Sequence, residues 1–452
     1  MVRSFRHADA RRGIAIAISA LMLSVVAVQG TAGAAPKPGG NASGGTLATL
    51  ASKQKLVGPK GTGLTRGITS TSITVGCVYQ ASDFAGYEAG LQARFAVANK
   101  KGIFGRKINL LPCKDDTSGV QADVSDVQQL VNQNQVFSVM SLSGNILPGS
   151  TNFLNTQQVP YYGWGFNPGF CGNRWGFGWS GCLSSNLLPS SSPLHNVVQG
   201  NLADAIIQVS GLKASQVRFA VQADNSSSGA TGLGLYPPLF KALGAKVVYS
   251  EDNFPTSVTG VDFTPYVQAI MASNPNIVYI STPFADVGGM AAALKAGGYK
   301  GITMDFVTYS PGLLSAAPQL AAALQGEYVN TQVVPQEQTG SAWVAAELAA
   351  LKANGSPAFL SLGSSIGYAE ANEFVEQLQA VGKNLNTKTF DTIVNGGKFV
   401  SYKNVGTGGP GKLLWPAAHF ISADCATIVK VAGTVYNVVN PFKCYQSYNL
   451  KG

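Results

Sequence analysis

Residues 136–164 read V-F-S-V-M-S-L-S-G-N-I-L-P-G-S-T-N-F-L-N-T-Q-Q-V-P-Y-Y-G-W. The run 136–142 has the length and apolar content of a strand. A helix is predicted near Ile146–Gln157, and P-Y-Y-G-W starts a second strand. A strand, a helix and a strand within thirty residues form a βαβ unit, which implies parallel pairing. The same rhythm extends in both directions. Toward the N-terminus lie a strand I-T-V-G-C-V (73–78), a helix from about Ala85 to Lys100 ended by Gly102, and a strand at Ile108–Leu111. Val120, Val124, Val127 and Val131 then recur at spacings of four, three and four, one apolar stripe of a helix.

Residues 167–195 break the rhythm with Asn, Pro, Gly, Ser and aromatics. A second series follows: V-R-F-A-V (217–221), K-V-V-Y (246–249), N-I-V-Y-I-S (276–281), I-T-M-D-F-V (302–307) and E-Y-V-N-T (327–331), with helices between them such as Gly288–Gly297. Two series separated by an irregular segment define an α/β chain of two doubly wound, Rossmann-like lobes. Ligands of such sheets bind outside the carboxyl ends of the strands. Both series therefore aim their strand-end loops at a shared crevice.

The N-terminus carries Arg3, Arg6, Arg11 and Arg12, then an uncharged apolar run from Gly13 to Val28, then Ala32-Gly33-Ala34. Charge, apolar stretch and small-residue cleavage site are the parts of a signal peptide, here residues 1–34. The apolar run is short for a membrane span, which needs about 20 residues. The first cysteine is Cys77, so none stands at the cleavage point to take a lipid. The mature protein is expected to be secreted or extracytoplasmic and not lipidated. Residues 35–68, rich in Gly, Pro, Lys and Thr without a sustained period, read as a flexible tether.

The net charge of +9 suggests a nucleic-acid partner only until it is divided along the chain. Residues 1–34 carry +3 and residues 35–68 carry +5, leaving +1 for residues 69–452. A near-neutral body has no phosphate-binding face, so no nucleic-acid partner is expected. Six cysteines in an exported chain should be oxidised. Cys171 with Cys182 and Cys425 with Cys444 would each close a local loop. Cys77 and Cys113 remain, and the strand reading sets them on neighbouring strands. No C-x-x-C or H-x-x-x-H spacing supports zinc, and no metal or cofactor is expected.

The best enzymatic reading is G-S-S-I-G at 363–367, which matches the nucleophile-elbow pattern with Ser365, followed in hydrolase order by Asp391 and His419. The same residues are good caps for a helix N-terminus, and in a chain with 53 glycines the pattern is cheap. A G-x-G-x-x-G at 176–181 lies between Cys171 and Cys182, without the strand and helix of a dinucleotide site. Aromatic residues carry more. Trp164 and Phe166 alternate at a strand end beside Gly165, where a ligand can lie against a ring. Ser141 and Ser143 end the preceding strand, and their hydroxyls with the Gly144 N–H suit a carboxylate.

From about residue 66 to 400 the chain resembles the branched-chain amino-acid-binding proteins of ABC importers, with the type I periplasmic-binding fold. R-G-I-T-S-T-S-I-T-V-G (66–76) resembles the family's first strand, and N-K-K-G-I-F-G-R-K-I-N-L (99–110) its glycine turn and second strand. D-D-T-S-G-V-Q-A (115–122), Q-Q-V-P-Y-Y (157–162), N-P-N-I-V-Y-I (274–280) and A-L-K-A-G-G-Y-K-G (293–301) follow in the family's order. The resemblance implies three crossovers, near 190–196, 332–336 and 394–400. Lobe one is then residues 69–193 plus 335–396, and lobe two residues 194–334 plus 397–452.

The resemblance also implies ligand contacts at Ser141, Ser143 and 164–167, with Phe84 next to the place of a family aromatic. Across the cleft the pattern departs. The family tyrosines fall on Ser228 and on Pro283 beside Phe284. The acid that pairs with an amino acid's ammonium falls at Tyr309–Ser310, where there is no carboxylate, and Asp286 is the nearest replacement. The expected function is capture of a small organic molecule, either an amino acid or an aromatic, amide or carboxylate compound. The protein would act as a monomer that delivers it to an importer's permease, without catalysis. The alternatives are a ligand-sensing module without transport and a Ser365 hydrolase.

Overall fold

The strand read as I-T-V-G-C-V lies inside a parallel sheet, where covering helices demand apolar residues on both faces. The computed structural model describes residues 44–256, 260–356, 360–403 and 410–450. The chain begins with α1 (Gly44–Ser52) and β1 (Ser72–Tyr79). It continues through α2 (Tyr87–Lys101), β2 (Lys107–Leu110), β3 (Lys114–Asp115), α3 (Val120–Asn132), β4 (Ser138–Leu142), α4 (Pro148–Thr156), β5 (Tyr161–Gly163) and β6 (Gly176–Gly178). The strands from β1 to β6 pair in parallel in the order β2-β1-β4-β5-β6, with β3 also on β1. Of the valine stripe on α3, Val127 and Val131 are buried, while Val120 and Val124 are half-buried. Asp123 and Leu130 complete the inward face.

The second lobe starts after β7 (Val197–Gln199) and α5 (Asp204–Ser210). It contains β8 (Arg218–Asp224), α6 (Ser227–Ala242), β9 (Lys246–Phe254), α7 (Thr264–Ala272), β10 (Ile277–Ser281), α8 (Phe284–Ala296), β11 (Ile302–Asp305), α9 (Pro311–Ala316), α10 (Pro318–Ala323) and β12 (Tyr328–Thr331). The chain then returns to the first lobe with α11 (Ala342–Ala353), α12 (Leu362–Val381), α13 (Thr387–Val394), β13 (Val400–Ser401) and β14 (Leu413–Leu414). It ends in the second lobe with β15 (Cys425–Ala432) and β16 (Val435–Cys444), then β17 (Ser447–Asn449), which pairs with β7. The second sheet runs β9-β8-β10-β11-β12 in parallel, and β15 and β16 extend it antiparallel.

Helix α12 is buried along its whole length from Leu362 to Val375. Glycine makes this possible: a Cβ on Gly363 would stand 2.5 Å from the Phe84 carbonyl oxygen, and one on Gly367 2.3 Å from that of Tyr87. The helix thus lies directly on α2 and its leading turn. Three disulfides are formed, as expected: Cys77–Cys113 ties β1 to the segment between β2 and β3, Cys171–Cys182 closes an irregular loop, and Cys425–Cys444 joins directly paired residues of β15 and β16.

Two expectations are corrected. Residues 397–452 are expected in the second lobe, but 400–403 and 410–421 stay on the first. Ser401 donates to Glu373 of α12 at 2.9 Å, the buried Trp415 ring packs on Phe177 at 4.8 Å, and the Cys182 N–H donates to the Ala418 carbonyl at 2.9 Å. The third crossover therefore falls just before Cys425, not at 394–400. The cause is the burial of Tyr402 and Trp415 in the first lobe's core.

The second correction concerns the tether. Residues 47–68 are anchored to the first lobe. Leu47, Ala51 and Leu56 are buried in a cluster with Leu188, Leu194 and Phe420. Val57 exchanges backbone hydrogen bonds with Gly172 and Arg174, and the Arg66 guanidinium donates to the carbonyls of Val136 and Gln157. Hydrogen bonds along an extended chain leave no apolar period for a sequence pattern to reveal. The expected signal segment 1–34 and residues 35–43 lie outside the described residues. Leu47→Ala should lower stability by about 2–5 kcal/mol, and deletion of 44–66 should lower the denaturation midpoint further. An unchanged urea midpoint in both variants would mean that the segment does not hold to the lobe in solution.

Candidate ligand-binding cleft

Parallel strands leave their carboxyl ends and the following turns on one edge of each sheet. In this chain the two edges face each other. Gln80 and Asp83 follow β1, Ser143 and Gly144 follow β4, and Trp164 and Phe166 follow β5. From the other lobe come Asp224 at the end of β8, Ser281 at the end of β10 and Phe306 just after β11. All of them line one cavity of about 540 Å³. That volume suits a small organic molecule.

Aromatic rings make a continuous wall. Phe84 meets the Trp164 ring edge-on at 6.2 Å, and Trp164 lies 6.0 Å from Phe166. Phe166 stacks across the cleft on Tyr236 of α6 at 6.4 Å, and Tyr236 stacks on Phe306 at 5.6 Å. Tyr279 meets Tyr236 edge-on at 4.5 Å, and their hydroxyls are 3.3 Å apart. The Trp164 indole N–H donates to Gln332 Oε1 at 3.1 Å, which holds the ring's tilt at the second crossover.

Polar contacts also cross the cleft. The Phe284 backbone N–H, first in α8, donates to Asp83 Oδ1 at 3.2 Å, and the Ser228 hydroxyl donates to Asn167 Oδ1 at 3.4 Å. Asp83 also accepts from the Gln80 amide. Asp224 accepts from the Ser226 N–H and hydroxyl, as a turn residue ahead of α6. Burial pushes the Asp83 carboxyl up to about 6, and the charges of Asp224 and Asp286 add to the rise. Burial raises Asp224 as well, and Asp286 is raised by burial and then by Asp224. Among the described residues the lining contains Asp83 and Asp224 and no Lys, Arg or His.

Seven of the ten residues expected from the sequence line this cavity: Phe84, Ser143, Gly144, Trp164, Phe166, Ser228 and Phe284. Three do not. Ser141 is fully buried in β4, behind the strand end. Gly165 is packed so tightly on the loop after β6 that a Cβ there would lie 1.8 Å from the Gly181 carbonyl oxygen, and it serves close loop packing. Tyr309 is fully buried, with its hydroxyl donating to Glu337 and accepting from the Gln336 N–H, so it packs against the second crossover and not into the cavity.

The expected carboxylate holder is corrected too. The Gly144 N–H is taken by Gln80 Oε1 at 3.2 Å, and the Ser143 hydroxyl accepts from the Asn145 N–H at 2.9 Å. Tyr309 and Ser310 bring no carboxylate, and Asp286, the expected replacement, stands just beyond the lining residue Phe284. The acids that do line the cavity are Asp83 and Asp224, from other turns. Asp224 was missed because the strand was ended at Val221, three residues early. Tyr236 and Tyr279 were missed because a helix interior and a strand interior carry no mark of a cleft.

The hydrolase constellation does not assemble. The Ser365 hydroxyl is fully buried and donates to Glu347 Oε1 at 2.7 Å, while Asp391 is ion-paired with Arg174 at 3.0 Å. His419 is buried against Phe177 and Trp415, its Nε2 2.9 Å from Asn395 Oδ1, and burial drops its pKa to about 3. The glycines of the pattern serve the α2–α12 contact.

Two α/β lobes with facing strand ends and an aromatic cavity between them define a ligand-binding protein of the two-lobed kind. The chain belongs to the periplasmic binding protein family, whose model matches residues 76–434. Among similar solved structures is a solute-binding protein of an ABC transporter from R. palustris in complex with 4-hydroxybenzoate. It is 17% identical, with a TM-score of 0.64, over 84% of this chain and 97% of that one. The fatty acid ABC transporter substrate-binding protein from Thermomonospora curvata is 16% identical with a TM-score of 0.69, over 87% and 96%. A branched-chain amino acid ABC transporter protein from Thermus thermophilus with bound valine is 14% identical with a TM-score of 0.66, over 84% and 98%. No curated protein matches the chain in sequence. Among the described residues no helix is long and apolar enough to cross a membrane.

A fluorophosphonate probe should leave Ser365 unmodified. Ser365→Ala should instead cost stability, about 1–3 kcal/mol from the unpaired Glu347 and Gln336. Covalent labelling at Ser365, detected by peptide mass spectrometry, would contradict this assignment.

Proposed function

We propose that this chain is the extracytoplasmic solute-binding component of an ABC importer, which captures a small organic molecule with an apolar body in the cleft between its lobes. The observation that carries the reading is the roughly 540 Å³ cavity walled by rings from both lobes, at the carboxyl ends of both parallel sheets. Family membership and the similar solute-binding structures support it. The signal-like residues 1–34 and three disulfides fit export. Hinge motion at the crossovers would open the cleft, and closure over the solute would create the surface that a permease recognises.

Trp164 stands at the centre of this reading. Trp164→Ala should weaken binding of the co-purifying solute, identified by native mass spectrometry, by about 2–4 kcal/mol while the chain still folds. Ser143→Ala should change affinity less than Trp164→Ala, because that hydroxyl already accepts from the Asn145 N–H. Normal binding by Trp164→Ala, at wild-type melting temperature, would move the solute site away from this cleft.

A further inference from the structure

The charge of the cavity is one-sided. Asp83 and Asp224 line it, Asp286 stands two residues beyond the lining residue Phe284, and no lining residue carries a positive charge. The donors that reach the two lining carboxylates are neutral: the Gln80 amide and Phe284 N–H on Asp83, and the Ser226 N–H and hydroxyl on Asp224. Carboxylates partly withdrawn from water, without a counter-cation, repel one another and any anion that enters. The same cavity is walled by the rings of Trp164, Phe166, Tyr236 and Phe306, and aromatic rings attract cations. A further polar group awaits a partner there. Thr282, only 5% exposed, lines the cavity, and its hydroxyl has no hydrogen-bond partner. One donor that would suit an anion, the Gly144 N–H, is already held by Gln80 Oε1. A metal ion does not fit: among the described residues no three acidic, His or Cys side chains converge to hold one.

We propose that the solute is a small organic cation, an amine or quaternary ammonium with an aromatic or other apolar body, its charge facing Asp83 and Asp224 and its body against the ring wall. The inference rests on the reading of this cleft as the solute site and names the class of solute. It sets the chain apart from its structural relative in complex with 4-hydroxybenzoate, an anion at neutral pH.

The test is isothermal titration of the exported protein with four probes of similar size: phenyltrimethylammonium, phenethylamine, 3-phenylpropionate and benzoate. The two cations should bind and the two anions should not. Asp83→Asn and Asp224→Asn should each weaken phenyltrimethylammonium about tenfold or more. Asp224→Glu, which keeps the charge, should retain most of the affinity, and melting curves confirm that each variant is folded. The proposal falls if neither cation binds at millimolar concentration, if an anion binds more tightly than the cations, or if the folded Asn variants bind phenyltrimethylammonium as well as wild type. An anion that binds and is lost in Trp164→Ala would keep the cleft as the solute site and refute only its preference for cations.

Discussion

Asp83 of the first lobe accepts a hydrogen bond from the Phe284 N–H of the second, and much of the cleft is organised around that contact. The amide is the first of helix α8, where partial positive charge gathers and favours an anionic partner. The bond therefore draws the lobes together, yet it leaves the carboxylate's charge unneutralised by any side chain. Asp224, a buried acid in the same lining, sharpens the imbalance. A cation between the lobes would relieve that repulsion while both lobes hold it. Closure and solute charge then become one energetic problem.

The remainder of the molecule places these groups. Strand β1 is braced by β2, β3 and β4, and its end is tied to the neighbouring segment by Cys77–Cys113. The turn after it, which carries Asp83 and Phe84, rests on α12, and only the absent side chain of Gly363 allows that approach. In the second lobe, α8 begins right after β10, so the Phe284 amide is set by a short strand-to-helix turn. Precise placement of the polar groups thus follows from rigid elements, and the hinge strands alone need to move.

The parallel strands and their helices were legible because apolar runs and helical stripes repeat along residues 73–331. Trp164, Phe166 and Phe284 were legible because each follows a strand end. Asp83 carries no such mark: the family resemblance points to an aromatic at its neighbour Phe84. Tyr309 failed for the opposite reason: a residue placed by resemblance at a strand-end turn can still point inward, as it does toward Glu337 and Gln336. The packing of residues 44–68 and the late third crossover depend on contacts distant in sequence, such as Leu47 with Phe420 and Trp415 with Phe177, which no local period encodes.

The most direct measurement is the proton balance of binding. Phenyltrimethylammonium has no proton to exchange, so any proton released on binding comes from the protein. Asp83, raised to about 6 and facing Asp224, Asp286, the Gln80 amide and the Phe284 N–H, is partly protonated near pH 6. A bound cation lowers that pKa, so calorimetry in buffers of different ionisation enthalpy should show release of about half a proton per ligand at pH 6, falling toward zero at pH 8. Affinity should rise over the same interval, because protons and the cation compete. Uptake of protons, or no exchange at pH 6 despite binding, would contradict the placement of the solute's charge against these carboxylates.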